Sequence, residues 1–363
     1  MTVFTIRTLE EVKKLESEWL RLQSQECYST NPFINYYRMC AWLEMNEEEK
    51  KYEVKIVVIE ENDRIVLIAP FAKRKVLLNF YVIYFAGAEY ADYGDVLIES
   101  GYEYCIEDAL KKVLGWFGIA VLRCVSADSM IYRAMRSKKK LLSYEIETTK
   151  CPYIEMENEW ITFPDNLDKS LKKDIIYNIR RLSRDQPLEY IVPKMQEEKS
   201  ILLNDLFSLH TEEWNSRGKR SIFENPYCRR YYELLLKWNN IGDAKVYLAA
   251  LKAGEEYVGI FWGQRDIDRF YYYKPAYNYK LHKYSPGKIL LYYLIEECLR
   301  NDIRYFDFLV GVEPYKLNWT DTMIPIYAIF CGQKNILSWV LLKFLNNREH
   351  LKINRRSKNE ENQ

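Results

Sequence analysis

Apolar and polar positions follow the same rhythm twice along the chain. Residues 55–59 and 64–71 are β-branched and apolar, split by the turn signal Asn62-Asp63, and predict a hairpin. Residues 245–251 and 257–262, split by Ala253-Gly254, predict a second one. A third strand is expected after each pair, at 77–85 and 269–274. Each half then continues with an amphipathic helix and a last apolar strand, 103–116 with 119–125 and 288–300 with 305–309. Ahead of the hairpins the echo extends to identities. Trp19 and Trp214 are 195 residues apart, Asn31-Pro32-Phe33 and Asn225-Pro226-Tyr227 are 194 apart, Tyr36-Tyr37 and Tyr231-Tyr232 are 195 apart, and Trp42 and Trp238 are 196 apart. Four matches in order at nearly constant offset predict a duplicated α+β unit, each copy reading helix, helix, three strands, helix, strand.

Between the copies, residues 171–184 have helical period. Leu171, Ile175, Ile179 and Leu182 form an apolar stripe, while Lys173, Tyr177, Arg180 and Arg184 share another face. That second face is either solvated or an anion patch. At the far end, residues 335–347 form a short amphipathic helix carrying Trp339, Leu342 and Phe344, followed by a basic, polar tail. Docking of this helix on its own domain is the first expectation; the basic residues after the stripe also suit a weak peripheral membrane contact. The expected organisation is therefore a first half at 1–150, a second at 151–345, and a flexible tail at 346–363.

Composition narrows the classes. The 363 residues carry 53 Lys+Arg against 52 Asp+Glu, so no global positive field is present to hold nucleic acid, and no nucleic-acid partner is expected. The eight cysteines, Cys27, Cys40, Cys105, Cys124, Cys151, Cys228, Cys298 and Cys331, lack C-x-x-C spacing, and there are three histidines. Buried free thiols and no metal site are the expectation. Without an apolar leader or a run of about 18 apolar residues, neither a signal peptide nor a membrane span is read, and a cytoplasmic location follows.

The densest chemistry lies at 284–320. Ser285-Pro286-Gly287 precedes a helix, with Ser suited to the N-cap and Pro to the first helical position. The same geometry suits a phosphate, through free N–H groups, the helix dipole and the charge of Lys288. Asp307 stands in the aromatic strand 305–308 and needs a partner, for which Lys316 is a candidate. Gly311, Glu313, Tyr315 and Trp319 follow in the same loop. His210 and Trp214 lie one helical turn apart, as a packed pair or as the wall of an acceptor pocket. Of the Tyr-rich strand 270–273 only one face can line a site; Tyr273 is assigned to it.

Taken in order, His210, Trp214, Arg217-Gly218, Ser285-Pro286-Gly287, Asp307, Gly311, Glu313, Tyr315-Lys316 and Trp319 resemble the motif set of the CelD/BcsL-like acetyltransferases associated with cellulose and exopolysaccharide synthesis, a group of the GNAT superfamily related to the FemAB transferases. Asp92-Tyr93 with Asp95 resembles a further element of the group. The resemblance implies an α+β fold of two tandem GNAT-like halves, each a mixed, mostly antiparallel sheet flanked by helices. It also implies acyl transfer from acyl-CoA, such as acetyl-CoA, to an amine or hydroxyl of a small-molecule or glycan-precursor acceptor. On that footing Ser285, Pro286, Gly287 and Lys288 would hold the donor. Glu313 would be the base and Tyr315 the acid, and a backbone N–H near Asp307 would steady the developing oxyanion. His210, Trp214, Arg217, Tyr273, Lys316 and Trp319 would meet the acceptor or a phosphate. The usual GNAT pyrophosphate loop is absent, with SPGK in its place. A FemAB-type aminoacyl-tRNA donor and a non-catalytic binding module therefore remain as alternatives.

Overall fold

The computed structural model describes residues 1–24, 31–77, 80–116, 118–137, 140–184 and 186–360. Cys27, residues 78 and 79 of the third expected strand, and 361–363 of the expected tail lie outside them. The chain divides into two compact units, Met1–Lys150 with Ile324–Gln363, and Cys151–Met323.

The first unit opens with β1 (Thr2–Ile6), α1 (Leu9–Lys13), α2 (Glu16–Gln23) and α3 (Tyr36–Glu49). The hairpin β2 (Glu53–Glu61) and β3 (Arg64–Leu77) follows, turning at Asn62 and Asp63, both with positive φ. Next come β4 (Phe80–Phe85), the short β5 (Leu97–Ile98), α4 (Ile106–Leu114), β6 (Gly118–Ser126), α5 (Met130–Ser137) and β7 (Leu142–Glu155). Within this unit the sheet runs β1-β2-β3-β4-β6, antiparallel except for the parallel pair β4–β6, with β5 paired to β3. Buried Trp19, Tyr36 and Trp42 anchor the helices, and Trp19 donates its indole N–H to the Ile34 carbonyl at 2.9 Å.

The second unit contains α6 (Lys169–Leu182), β8 (Leu188–Ile191), α7 (Gln196–Ser216), α8 (Pro226–Ile241), the hairpin β9 (Val246–Ala253) and β10 (Glu256–Arg265), β11 (Arg269–Tyr277), α9 (Pro286–Arg300), β12 (Tyr305–Asp307) and α10 (Pro314–Leu317). Its sheet runs β8-β9-β10-β11-β12 and ends on residues 153–155 of β7. Again the first strand pairs antiparallel with the hairpin, and the strands flanking the crossover helix are parallel. The element order of the first unit thus recurs in the second. The Asn-Pro echo has a physical cause, since Asn31 and Asn225 both accept from the N–H two residues on, at 3.0 Å. Apolar residues of α6, α9 and the sheet, among them Ile175, Phe261, Phe270, Tyr272, Leu290, Leu294 and Phe306, form the core.

The ends of the chain differ from the sequence-based boundaries. β13 (Met323–Gly332) pairs with β6 of the first unit, and α11 (Ile336–Glu360) packs there too, so the second unit closes at Met323 rather than at 345. Residues 346–360, expected as a flexible tail, continue α11, because Leu345, Glu349 and Ile353 keep meeting the unit at helical spacing. The stretch between the halves also holds more than a helix: residues 142–155 are a strand. Leu342 is fully buried while Trp339 and Phe344 are about half exposed or more, so these three do not form one stripe.

Candidate active site

β11 and β12 run parallel for only three residue pairs, Arg269–Tyr305, Phe270–Phe306 and Tyr271–Asp307. Beyond Tyr271, β11 continues along β10 to Tyr277, whereas the chain after Asp307 turns away, with positive φ at Leu309 and Gly311. The two strands separate, and side chains from α7, β11, α9 and α10 meet at that end.

On β11, Trp262 faces Lys274 and Gln264 faces Tyr271, so Tyr272 and Tyr273 together oppose Gly263. The alternation over 270–273 still holds, with Phe270 and Tyr272 both stacked on Phe261 and Tyr271 and Tyr273 outside that cluster. Tyr272, not Tyr273, lies with Phe306 and Phe308, and its hydroxyl is 2.6 Å from that of Tyr277. Tyr273 is buried outside that group, with Lys274 Nζ 4.0 Å from its ring centroid. Tyr277 donates its N–H to Glu213 Oε2 at 2.9 Å. Glu213 is 3% exposed and its other oxygen meets Arg217 at 2.6 Å. Burial pushes the Glu213 carboxyl up, opposed by the Tyr277 N–H and the Arg217 guanidinium. Gly218, at positive φ, ends α7 just after Arg217 and explains the Arg-Gly pair.

The loop after β12 divides its motif residues into two sets. Asp307 is 1% exposed, accepts the Leu309 N–H at 2.8 Å and pairs with buried Arg269 at 3.4 Å. Its partner is Arg269 on the neighbouring strand and not Lys316. Lys316, also buried, points its ammonium at the carbonyls of Leu309, Val310 and Gly311 at 3.2–3.5 Å and at Glu313 at 2.8 Å. Trp319 is in the core. These three side chains build the loop, and burial takes them away from a substrate. The N–H groups beside Asp307 are also engaged, Phe308 with the Pro152 carbonyl and Leu309 with Asp307 itself, so the expected oxyanion donor is not there. Glu313 and Tyr315 are the residues presented, with 53% of the Glu313 side chain and 39% of Tyr315 exposed. Desolvation pushes the Tyr315 hydroxyl well above its ordinary value, and neighbouring Tyr277 and Glu313 add to the shift.

At α9, Ser285 adopts a left-handed conformation and its side chain caps nothing, contrary to the N-cap expectation. Pro286 takes the first helical position and is buried. A Cβ on Gly287 would stand 3.1 Å from the Tyr277 ring, so the glycine lets that ring approach the helix. Lys288 is not a free cation, since its ammonium is 2.7 Å from Asp174 of α6. Arg181 of α6 lies between the rings of Tyr177 and Tyr284, 5.3 and 4.9 Å from their centroids. Lys173, Tyr177, Arg180 and Arg184 are all exposed.

His210 is 4% exposed, shares a 2.8 Å hydrogen bond with Ser221 Oγ and stacks on Trp214 with centroids 5.3 Å apart. Burial pushes its imidazole down to about 4, so it is neutral near pH 7. It packs edge-on to Phe223 as part of an aromatic cluster. Glu213, Tyr277 and Asp174 were not singled out in the sequence, and Tyr272 entered only as part of the strand 270–273. Glu213 had a signal, three residues after His210 and four before Arg217, on the same side of one helix.

In the first unit, buried Asp95 accepts the N–H groups of Val96, Met130 and Ile131 at 2.8–3.0 Å and so caps α5 from a distance. Among the described residues, no three His, Cys, Asp or Glu side chains come together as a metal site would need, and no helix is long and apolar enough to cross a membrane. The seven described cysteines are free.

Residues 169–317 match the family model described as an acetyltransferase (GNAT) domain. The match lies within the second unit and takes in α6 to α10. Among solved structures the chain is similar to FemX, at 10% identity over 94% of this chain and 100% of that one, with a TM-score of 0.60. It is also similar to L-PGS from Bacillus licheniformis (13% identity, 91% and 96% covered, TM-score 0.53). A conserved protein of unknown function from Bacteroides thetaiotaomicron is similar as well (12%, 92% and 100%, 0.54). These likenesses are of fold, and the fold is α+β as expected. No curated protein matches the chain.

Proposed function

We propose that the protein is a cytoplasmic acyltransferase whose second unit moves an acyl group, acetyl in the simplest case, from acyl-CoA to an amine or hydroxyl of an amino sugar or a related surface-polysaccharide precursor. The observation that carries this reading is the separation of β11 from β12, edged by the start of α9 and by Glu313, Tyr315 and the Tyr272–Tyr277 pair. The start of α9 fits a phosphate-bearing donor, because no side chain caps its first turn and Arg181 lies close by. Lys288 is neutralised by Asp174, so the attraction comes from the helix end and Arg181. When bound, acyl-CoA supplies a thioester open to attack by a nucleophile.

The chain's own groups complete the chemistry. Glu313, held by Lys316, takes the proton of the attacking amine or hydroxyl. Tyr315, whose hydroxyl stays protonated, gives its proton to the departing thiolate. Glu213 holds the end of β11 and through it the Tyr277 ring against Gly287. The test is thiol release from acetyl-CoA across a panel of amino sugars. Glu313→Gln should lower kcat by about 10²-fold or more with KM little changed. Tyr315→Phe should lower kcat as well. Unchanged kcat in both variants, with turnover in the parent, would remove them from the chemistry.

A second reading, a donor carried on tRNA, is favoured by the exposed cations Lys173 and Arg180 on α6 and Arg184 just after it. Salt-sensitive retention of the full chain on immobilised tRNA, without turnover of any acyl-CoA, would select it.

A further inference from the structure

α11 has two apolar faces, and the first unit uses one. Ser338, Leu342 and Glu349 are buried, and Leu345 and Ile353 pack with Val82, Val121 and Phe330. On the other side Ile336 is 83% exposed, Phe344 62%, Leu351 59%, Val340 50% and Leu337 45%. At about 100° per residue these five fall within an arc of about 100° opposite the docked face. Trp339 flanks them, 47% exposed, and Trp116, 77% exposed, stands at the start of the helix, where its carbonyl accepts from Asn335 at 3.2 Å. A contiguous apolar surface of this kind on a folded domain marks an interaction site.

The charges beside the surface identify its occupant. Between residues 334 and 355 the cations are Lys334, Lys343, Arg348, Lys352 and Arg355, and the sole acidic residue is Glu349. Glu349 is turned inward, bonded to both terminal nitrogens of Arg123 at 2.8–2.9 Å and 3.5 Å from the Lys352 ammonium, so it offsets Lys352 in part and leaves Lys343, Arg348 and Arg355. Lys343, Arg348, Lys352 and Arg355 are exposed around the apolar arc. A second copy of the same face would bring like charges together across a two-fold contact. An anionic bilayer meets both features, with acyl chains for the apolar arc, headgroups for the cations, and the interfacial zone that tryptophan favours.

We infer that α11 is a membrane-docking helix that lies in the plane of an anionic leaflet with Ile336, Val340, Phe344 and Leu351 inserted and Lys343, Arg348 and Lys352 among the headgroups. No residue of the second unit enters this inference, so it stands or falls apart from the acyl-transfer reading.

The test is cosedimentation of the full chain with two kinds of vesicle, phosphatidylcholine containing phosphatidylglycerol and phosphatidylcholine alone. Binding to the anionic vesicles, weakened by salt, is expected. Val340→Glu/Phe344→Glu should lower the partition coefficient by about tenfold or more, and Lys343→Gln/Arg348→Gln/Lys352→Gln should remove most of the preference for anionic lipid. All five positions are exposed, and an unchanged melting curve confirms the fold. Three results would overturn the inference: no sedimentation of the parent with anionic vesicles, equal binding to both vesicle types, or a parent dimer in sedimentation velocity that Val340→Glu/Phe344→Glu dissolves while vesicle binding persists.

Discussion

Asp307 and Glu313 are six residues apart and have opposite environments. A carboxylate in an aromatic strand has to be paired, and that much was legible in the sequence. Its partner was not, because Arg269 precedes it by 38 residues and reaches it only through the parallel pairing of β11 with β12. Lys316, the nearer cation in sequence, instead gathers three carbonyls that the turn at Leu309–Gly311 leaves without strand partners. Removing one member of a buried ion pair strands the other charge. Asp307→Ala should therefore cost about 3–5 kcal/mol of stability, read by urea unfolding, whereas exposed Glu313→Gln should cost little. His210 gives a pH signature. Its imidazole titrates near 4 in the fold and near 6.5 when unfolded, so the unfolded chain binds the extra proton between those values. Its contribution is whole above pH 6.5 and is lost as pH falls toward 4, by about 3 kcal/mol in all. A His210→Gln variant should show that much less acid sensitivity in its unfolding free energy between pH 6.5 and 4. An identical slope in parent and variant would show that His210 is not held neutral by burial.

Hairpins, crossover helices and their order were legible because each has a strong local pattern and a turn residue at its end. The edge strands β1 and β8 and the long β7 were not, since their pairing comes from distant segments and half their residues are polar. Strand 270–273 is a second case. Period two separates Tyr272 from Tyr273 without telling which face meets the next strand, and the pairing of β11 with β12 sets Tyr272 against Phe306 and Phe308. The start of α9 shows how one glycine links two elements. On Gly287→Val the added Cβ stands 3.1 Å from the Tyr277 ring, tighter than most Cβ contacts, and its methyls reach further. The ring must move, opening the 2.6 Å Tyr272–Tyr277 bond. The expected result is a KM for acyl-CoA raised by about tenfold, with the melting temperature changed by a few degrees at most. In the first unit, the Asp95 carboxylate is the cap of α5. Asp95→Ala would leave buried N–H groups unpaired and should cost about 3 kcal/mol in chemical unfolding.

Across the whole chain, the repeat at an offset near 195 residues corresponds to two units with the same order of strands and helices. The place where the sequence misleads is the end of the second copy. Chain order assigns 324–345 to the second half, but β13 pairs with β6 over Ile119–Ser126 and belongs to the first unit. Truncation after residue 323 should therefore unfold the first unit, seen as loss of its share of the calorimetric enthalpy, instead of trimming a dispensable tail. The motif residues, by contrast, take different places, and several that the resemblance set against an acceptor are buried. Asp307, Lys316 and Trp319 shape the loop that presents Glu313 and Tyr315, and His210 and Trp214 brace the helix that carries Glu213.

The account stands most directly on donor binding at the start of α9. The measurement is a thermal-unfolding series of the full chain with CoA and acetyl-CoA, on the parent and on Gly287→Val. A ligand at about 100 times its dissociation constant adds about 2.7 kcal/mol, which raises the melting temperature by a few degrees. The account predicts that rise for the parent with both ligands and a smaller one for Gly287→Val at equal ligand. A cooperative melt that neither ligand moves would contradict it.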